Sequence, residues 1–305
     1  MKTLHKTAIS AVAAGLLSGL AYTPAFAADE PEASPITANV TVVNDYRYRG
    51  MTQSNYKPAI QGGFDYAHES GFYIGNWNSS ISWFSDGYPK GVTNATGTNL
   101  TPNTGPSAPI EMDFYAGYKK ELIGEGFASD IGVLQYYYPV SNSPANGCSG
   151  AGSNGGSRNG CGASPNTTEI YVAQNFTFGP LTGFAKVSYS LTNIFGINNS
   201  SGSYYPDLTL NYDTGVWGLA LNGHVGYQYV SNTQTLSGVA YNFSYTDWKL
   251  GVTKDFGGGL SGNISYVGTT SPKANGNYLW YVPTSTGASK SAGQGGGLIS
   301  LTKTF

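Results

Sequence analysis

The chain has 305 residues, only 10% of them charged and 14% aromatic, with 24 Tyr and 43 Gly. Soluble domains carry roughly 25% charge, and 15 basic against 17 acidic residues argues against a nucleic-acid partner, which wants a basic patch. Beyond the first segment no apolar run reaches about 18 residues, so no transmembrane helix is expected. A charge-poor, Tyr- and Gly-rich chain without such runs suits a transmembrane β-barrel, whose strands meet lipid on one face and water on the other.

In chain order, residues 1–27 read as a secretory signal peptide. Lys2, His5 and Lys6 form a positive n-region, an uncharged stretch runs over 8–21, and Ala25-Phe26-Ala27 is a small-x-small cleavage site. The apolar stretch is too short for a spanning helix, so a mature chain starting near Ala28 is expected to be exported. Residues 28–36 form an acidic, Pro-containing flexible leader.

Residues 37–305 are expected to form the barrel. They repeat one unit: about ten residues of period-two hydrophobicity, then a turn. In 37–48, Ala38, Val40, Val42, Tyr46 and Tyr48 share one face, and Asn39, Thr41, Asp45, Arg47 and Arg49 the other; a helix cannot keep this alternation. Segment 58–68 sets Ile60, Phe64 and Tyr66 against Gln61 and Asp65, and 72–83 sets Tyr73, Trp77, Ile81 and Trp83 against Asn76, Asn78, Ser80 and Ser82. Segment 110–119 places Ile110, Met112, Phe114 and Tyr118 outside, with Glu111, Asp113, Tyr115 and Lys119 inside. Further strands are expected at 128–138, whose face is ambiguous, and at 168–178, 181–190, 203–212, 218–229, 245–254, 260–269 and 296–305.

The connections alternate strictly. Segments 68–71, 120–127, 179–180, 213–216 and 255–259 are short, with Gly, Pro or Asp chemistry; 49–57, 84–109, 139–166, 191–202, 230–244 and 270–295 are longer. Short periplasmic turns and long extracellular loops are the habit of outer-membrane barrels. The expected fold is therefore an all-β, antiparallel, up-and-down transmembrane barrel of about twelve strands, beginning and ending in the periplasm. Ile299 and Leu301 alternate back from the terminal Phe305, with Lys303 the one imperfect position. That ending resembles the aromatic-ended last strand read by barrel assembly machinery.

Several blocks carry a family resemblance. They are Asn44-Asp45-Tyr46-Arg47-Tyr48-Arg49-Gly50, Pro58-Ala59-Ile60-Gln61-Gly62-Gly63, Gly71-Phe72-Tyr73-Ile74-Gly75, Glu111-Met112-Asp113-Phe114-Tyr115-Ala116-Gly117-Tyr118, Tyr136-Tyr137-Tyr138-Pro139, Glu169-Ile170-Tyr171 and Tyr245-Thr246-Asp247-Trp248-Lys249. In this order the chain resembles the TorF-type porin family, which implies a porin-like barrel and names no substrate. Loops 84–109, 139–166 and 270–295 are longer than the family core.

By alternation Asp45, Arg47, Arg49, Asp65, Glu111, Asp113, Lys119, Glu169, Lys186, Asp207, Asp247 and Lys249 face the lumen, where they would set ion preference. The competing reading is that they pair across a narrow lumen and plug it. Arg47 and Arg49, near the outer mouth, are the expected constriction. Tyr46, Tyr48 and Trp83 toward the outer rim, with Phe114, Tyr118 and Trp248, are expected on the lipid face as aromatic girdles. Inward Tyr115 and Tyr171 could stack on carbohydrate.

Cys148 and Cys161 fit one disulfide in an oxidising compartment, limiting their loop by roughly 3 kcal/mol of chain entropy. No His or further Cys lies near enough to make them a metal pair. Gly150-x-Gly152-x-x-Gly155 follows no strand and opens no helix, so it is no dinucleotide site. A barrel-borne lipid hydrolase would need a Ser and a His on the lipid face, but His68 borders a turn, His224 points inward, and no Gly-x-Ser-x-Gly occurs. The expected function is a passive pore for small hydrophilic solutes or ions, not an enzyme, with no cofactor or metal. The alternative is a blocked barrel whose loops bind an outside partner. Expected partners are outer-membrane lipids, lipopolysaccharide and the assembly machinery.

Overall fold

The computed structural model describes residues 34–86, 108–140, 164–236, 239–282 and 290–305. The signal segment, most of the leader, and Cys148 with Cys161 lie outside the described residues. Twelve strands close into one antiparallel barrel. They are β1 (Ile36–Val43), β2 (Ala59–Ala67), β3 (Phe72–Ser80), β4 (Ile110–Gly124), β5 (Phe127–Tyr137), β6 (Thr167–Phe178), β7 (Leu181–Ser190), β8 (Tyr204–Asp213), β9 (Leu219–Gln228), β10 (Tyr245–Gly257), β11 (Leu260–Thr269) and β12 (Gly296–Thr304).

Each strand pairs with its sequence neighbours, and β1 closes on β12 through Asn39↔Thr304 to Val43↔Ser300. The seam is extended by Ala38 and Phe305, which exchange backbone hydrogen bonds of 3.3 and 2.9 Å. Closure leaves no unpaired edge, which a bilayer demands. β4 and β10 run further than the alternation suggested. Each continues past a register shift, at Glu121/Gly124 and at Asp255/Gly257, so their turns shrink to the last few residues of what reads as a polar connection.

The outer surface is apolar where a soluble protein would be polar: Ile60 is 61% exposed, Leu250 64% and Ile264 66%. Their register partners Val42, Tyr266 and Ile299 share that outer face, whereas sequence neighbours such as Ala59, Gln61 and Ser265 face inward and are buried. Such a surface has no stable home but lipid. Aromatic rings edge the belt. Tyr137, Tyr189, Tyr204, Tyr227 and Tyr266 are exposed toward the long-loop end, and Phe72, Phe178, Trp217 and Phe256 toward the short-turn end. Phe114 and Trp248 stand on the lipid face, as expected.

Three girdle assignments are corrected. Tyr46 is 2% exposed and Trp83 4%, and the Tyr48 hydroxyl bonds Tyr136 inside the barrel at 2.7 Å. β1 ends at Val43, so the alternation that put Tyr46 and Tyr48 on the lipid face no longer applies beyond it. β3 likewise stops at Ser80, and Trp83 begins a single helical turn, α1 (Trp83–Asp86). Within β3, Tyr73, Trp77 and Ser79 are buried inward, while Phe72 and Ile74 are exposed to lipid. The ambiguity of 128–138 is resolved with Asp130, Leu134 and Tyr136 inside and Ile131, Val133 and Tyr137 outside.

Two apolar clusters reach the long-loop end. One gathers Trp77, Ile81, Trp83, Phe84 and Tyr138, the other Met51, Ile194, Val230, Phe243 and Trp280.

Candidate functional site

The sequence Asn44-Asp45-Tyr46-Arg47-Tyr48-Arg49-Gly50 leaves the wall and enters the lumen. Asn44 makes the exit: its side chain accepts from Ile299 N–H at 2.8 Å and donates to Gly297 O at 3.1 Å. These bonds occupy the β12 edge where the β1 backbone departs. Arg47–Tyr48 then pairs with Met51–Thr52 in a two-residue hairpin. Its central residues Arg49 (φ 45°) and Gly50 (φ 76°) are both left-handed, the signature of a type I′ turn. Glycine takes that conformation freely, but arginine does so at a cost of about 1–2 kcal/mol. Asp45 braces the base of the hairpin, accepting from Arg47 Nε, from Thr52 Oγ1 at 2.5 Å and from Ser54 Oγ at 3.2 Å.

The strain at Arg49 is offset by what its guanidinium reaches. It grips Glu169 of β6 with two bonds, 3.0 and 2.6 Å, and donates to Gln228 of β9 at 2.6 Å. It also lies over the Tyr205 ring, 4.2 Å from the centroid. A bidentate, desolvated arginine–carboxylate pair is geometrically demanding and strong. The hairpin thus ties strands on different sides of the barrel across its interior.

Around it, charge is divided between two arcs of wall. On β2 to β6 stand five inward carboxylates: Asp65, Glu111, Asp113, Asp130 and Glu169. Lys119, register partner of Asp130, is their one buried basic companion among the described residues of these strands, Lys120 being exposed. On β7 to β10 stand Lys186, Asp207, His224, Asp247 and Lys249. His224 sits between Asp207 (Nδ1–Oδ1 3.0 Å) and Asp247 (Nε2–Oδ2 2.8 Å), and Lys186 lies 3.8 Å from Asp207. Arg49 and this second group bound a cavity of about 90 Å³. All twelve residues singled out by alternation point into the barrel interior. Asp45, Arg47 and Arg49 do so from the hairpin rather than from β1.

Tyrosine hydroxyls serve the acids, a role the alternation did not reveal. Tyr115 donates to Asp65 at 2.5 Å, Tyr73 to Asp130 at 2.7 Å and Tyr205 to Asp247 at 2.8 Å; Tyr46 and Tyr138 each donate to Glu111 at 2.5 Å. Tyr171 bonds the Tyr73 hydroxyl, so the hydroxyls of Tyr115 and Tyr171 are engaged by the wall. Inward glycines make room for these rings. A side chain at Gly117 would collide with Tyr73, and one at Gly132 with Tyr171. Each glycine is the register partner of the ring it admits, Tyr73↔Gly117 and Gly132↔Tyr171, a cross-strand pairing of aromatic with glycine. An inward Gly opposite an inward Tyr is the signal that would have found them. Outside the wall, Lys57 reaches Asp86 at 2.9 Å. Burial pushes the Asp86 carboxyl up, but hydrogen bonds from Asn55 and Lys57 outweigh it and hold the group below its ordinary value.

A closed antiparallel barrel with an apolar belt and a charged interior has the architecture of a membrane-spanning β-barrel. The chain belongs to a family of bacterial proteins of unknown function, Gcw_chp, whose family model matches residues 27–305. The TorF-type name suggested by the sequence is not the one matched; the family shown is one of bacterial proteins of unknown function. No curated protein matches the sequence. Among solved structures, a KdgM porin is similar at 5% identity and TM-score 0.45, covering 88% of this chain and 97% of that one. A NanC porin is similar at 8% identity and TM-score 0.45, with coverages of 88% and 97%. OccAB1 of Acinetobacter baumannii follows at 11%, TM-score 0.42, and 86% and 60%. At such values nothing about cargo passes from those proteins to this one; strand number and closure rest on the register pairs.

Proposed function

We propose that the chain is an outer-membrane channel for small hydrophilic solutes or ions, exported after cleavage near Ala27. Its constriction is the inserted hairpin, and the twelve interior charges line the path. The supporting observation is the Arg49–Glu169 pair, which joins the hairpin to the acid-rich arc beside a cavity bounded by the mixed-charge arc. A passing ion would feel a transverse field between the arcs, as charged rings act in pores. One of the two more specific blocks that carry the TorF-type resemblance, Asn44 to Gly50, forms the hairpin, which supports reading that family's porin character here.

Conductance of the purified protein in planar bilayers tests this. Small, steady single-channel steps are expected, with a reversal potential of cation-selective sign in a salt gradient, from the carboxylate excess. Glu169→Gln should loosen the hairpin and enlarge the steps. Silence from both proteins would overturn the channel reading. The second reading, a blocked barrel whose outer face binds a partner, is favoured by one observation: the two apolar clusters packed toward the long-loop end. It predicts that silence.

A further inference from the structure

The apolar belt is interrupted in one sector of the barrel. On β7 to β12, β1 and β2 the outward positions carry aliphatic or aromatic side chains or glycine, apart from Thr246, Lys254 and Lys303, each within three residues of a strand end. β3, β5 and β6 differ. Asn76, Asn78, Ser129, Gln135, Thr168 and Gln174 share the outward parity of exposed neighbours such as Ile74, Val133 and Val172. Asn76 is the middle residue of β3, in register with exposed Phe64 on one side and exposed Phe114 on the other, and Phe114 in turn stands opposite Gln135. These groups bond one another along the wall. Asn78 donates to Asn76 Oδ1 at 2.6 Å, Thr168 to Gln135 Oε1 at 2.6 Å and Ser129 to Gln174 Oε1 at 2.8 Å. Asn76 and Gln174 each give one amide N–H to a backbone carbonyl, Asp113 O at 3.0 Å and Asn175 O at 3.1 Å. The second N–H of each finds no acceptor among the described residues, and Asn78 Oδ1 finds no donor. Hydrocarbon supplies neither, so amides at mid-strand are costly neighbours for lipid.

We infer that the β3–β6 face is where a second copy of this chain docks, forming a two-fold dimer within the membrane. An amide both donates and accepts, so the patch is complementary to its own image, and a two-fold contact sets a surface against itself. Set against any other sector, the amides would meet mid-strand positions that carry no acceptor. Acyl chains carry none either. Between the amide-bearing strands, Met112 and Phe114 point outward from β4 in register with Asn78 and Asn76, and supply the apolar contact of the same interface. The inference rests on the membrane-barrel fold and not on conduction.

Förster transfer between donor- and acceptor-labelled chains in phosphatidylcholine vesicles tests this, with added lipid diluting the protein. Transfer should fall along a dissociation curve and rise linearly with the acceptor fraction, as in a dimer. Asn76→Leu combined with Gln135→Leu should move half-dissociation to a protein density about tenfold higher or more. Leucine suits a lipid-facing position, so this variant should keep its heat-modifiable fold. Leu250→Ala, on β10, should leave association unchanged. Transfer no greater than random proximity gives would overturn the interface, as would undiminished transfer in the double variant, equal weakening by Leu250→Ala, or curvature in the acceptor fraction. Transfer that appears only with added lipopolysaccharide would assign the face to that lipid and overturn it too. If the double variant does not fold, Asn76→Leu alone replaces it, and dilution of the wild type still decides. Association can fail while the pore conducts, or hold while the pore is silent.

Discussion

Arg49 and Gly50 show how two adjacent residues carry the candidate site. Arg49 adopts a strained backbone to present its guanidinium, and Gly50 lets the turn press against the wall. A Cβ on Gly50 would stand 2.5 Å from Thr269 Cγ2 and 2.7 Å from Asp247 Cβ, at φ +76°. Gly50→Ala should therefore combine overpacking of about 1–3 kcal/mol with a left-handed penalty of about 1–2 kcal/mol. Gly215→Ala is the matched control, since Gly215 also has positive φ (+67°) but meets nothing within 4 Å. Its loss should be confined to the backbone cost. Urea-unfolding midpoints of the two variants check this, and equal losses would show that the hairpin is not seated against the wall.

At the scale of the element, alternation recovered every barrel strand but misjudged where several stop. Period-two patterning continues in Asp45–Arg49 because the hairpin is itself extended chain, so nothing in the hydrophobic pattern marks the departure at Asn44. The marker is chemical: an Asn whose side chain bonds the vacated edge, then Arg-Gly at a two-residue turn. In β3, Tyr73 and Trp77 read as lipid-facing because a large aromatic is at home in either a girdle or a polar, hydrogen-bonded interior. Only the neighbours across the sheet decide between them. Apart from Asp130, which lies in the strand of ambiguous face, the inward carboxylates and lysines were legible because a charge on the lipid face is so costly that parity settles them. Their tyrosine donors were not.

The last strand offers a separable prediction at this scale. Phe305 contributes its backbone to the seam, and its side chain is 71% exposed. We propose that the ring acts as an assembly signal. Phe305→Ala should lower the yield of heat-modifiable folded barrel in cells, while the fraction that folds unfolds at the wild-type midpoint. An unchanged yield would remove the signal role.

Across the whole molecule, the arrangement inverts a soluble protein: polar and ionised groups fill the interior and apolar groups form the rind. The inversion is sharpest on β10, where adjacent residues at one depth have opposite fates. Lys249 points inward, buried in the field of Asp207 and Asp247, and Leu250 points outward at 64% exposure. A positive charge at this level is therefore tolerated on one face and should be expelled from the other. Leu250→Arg, near the middle of the strand, should cost about 2–4 kcal/mol, whereas Phe256→Arg, at the short-turn rim, should cost about 0–1 kcal/mol. Reversible urea unfolding in phospholipid vesicles measures both. The contrast depends on lipid, because in water an exposed Leu→Arg change is nearly neutral. If Leu250→Arg cost no more than Phe256→Arg, the apolar belt would not be a bilayer span, and a channel through it would lose its setting.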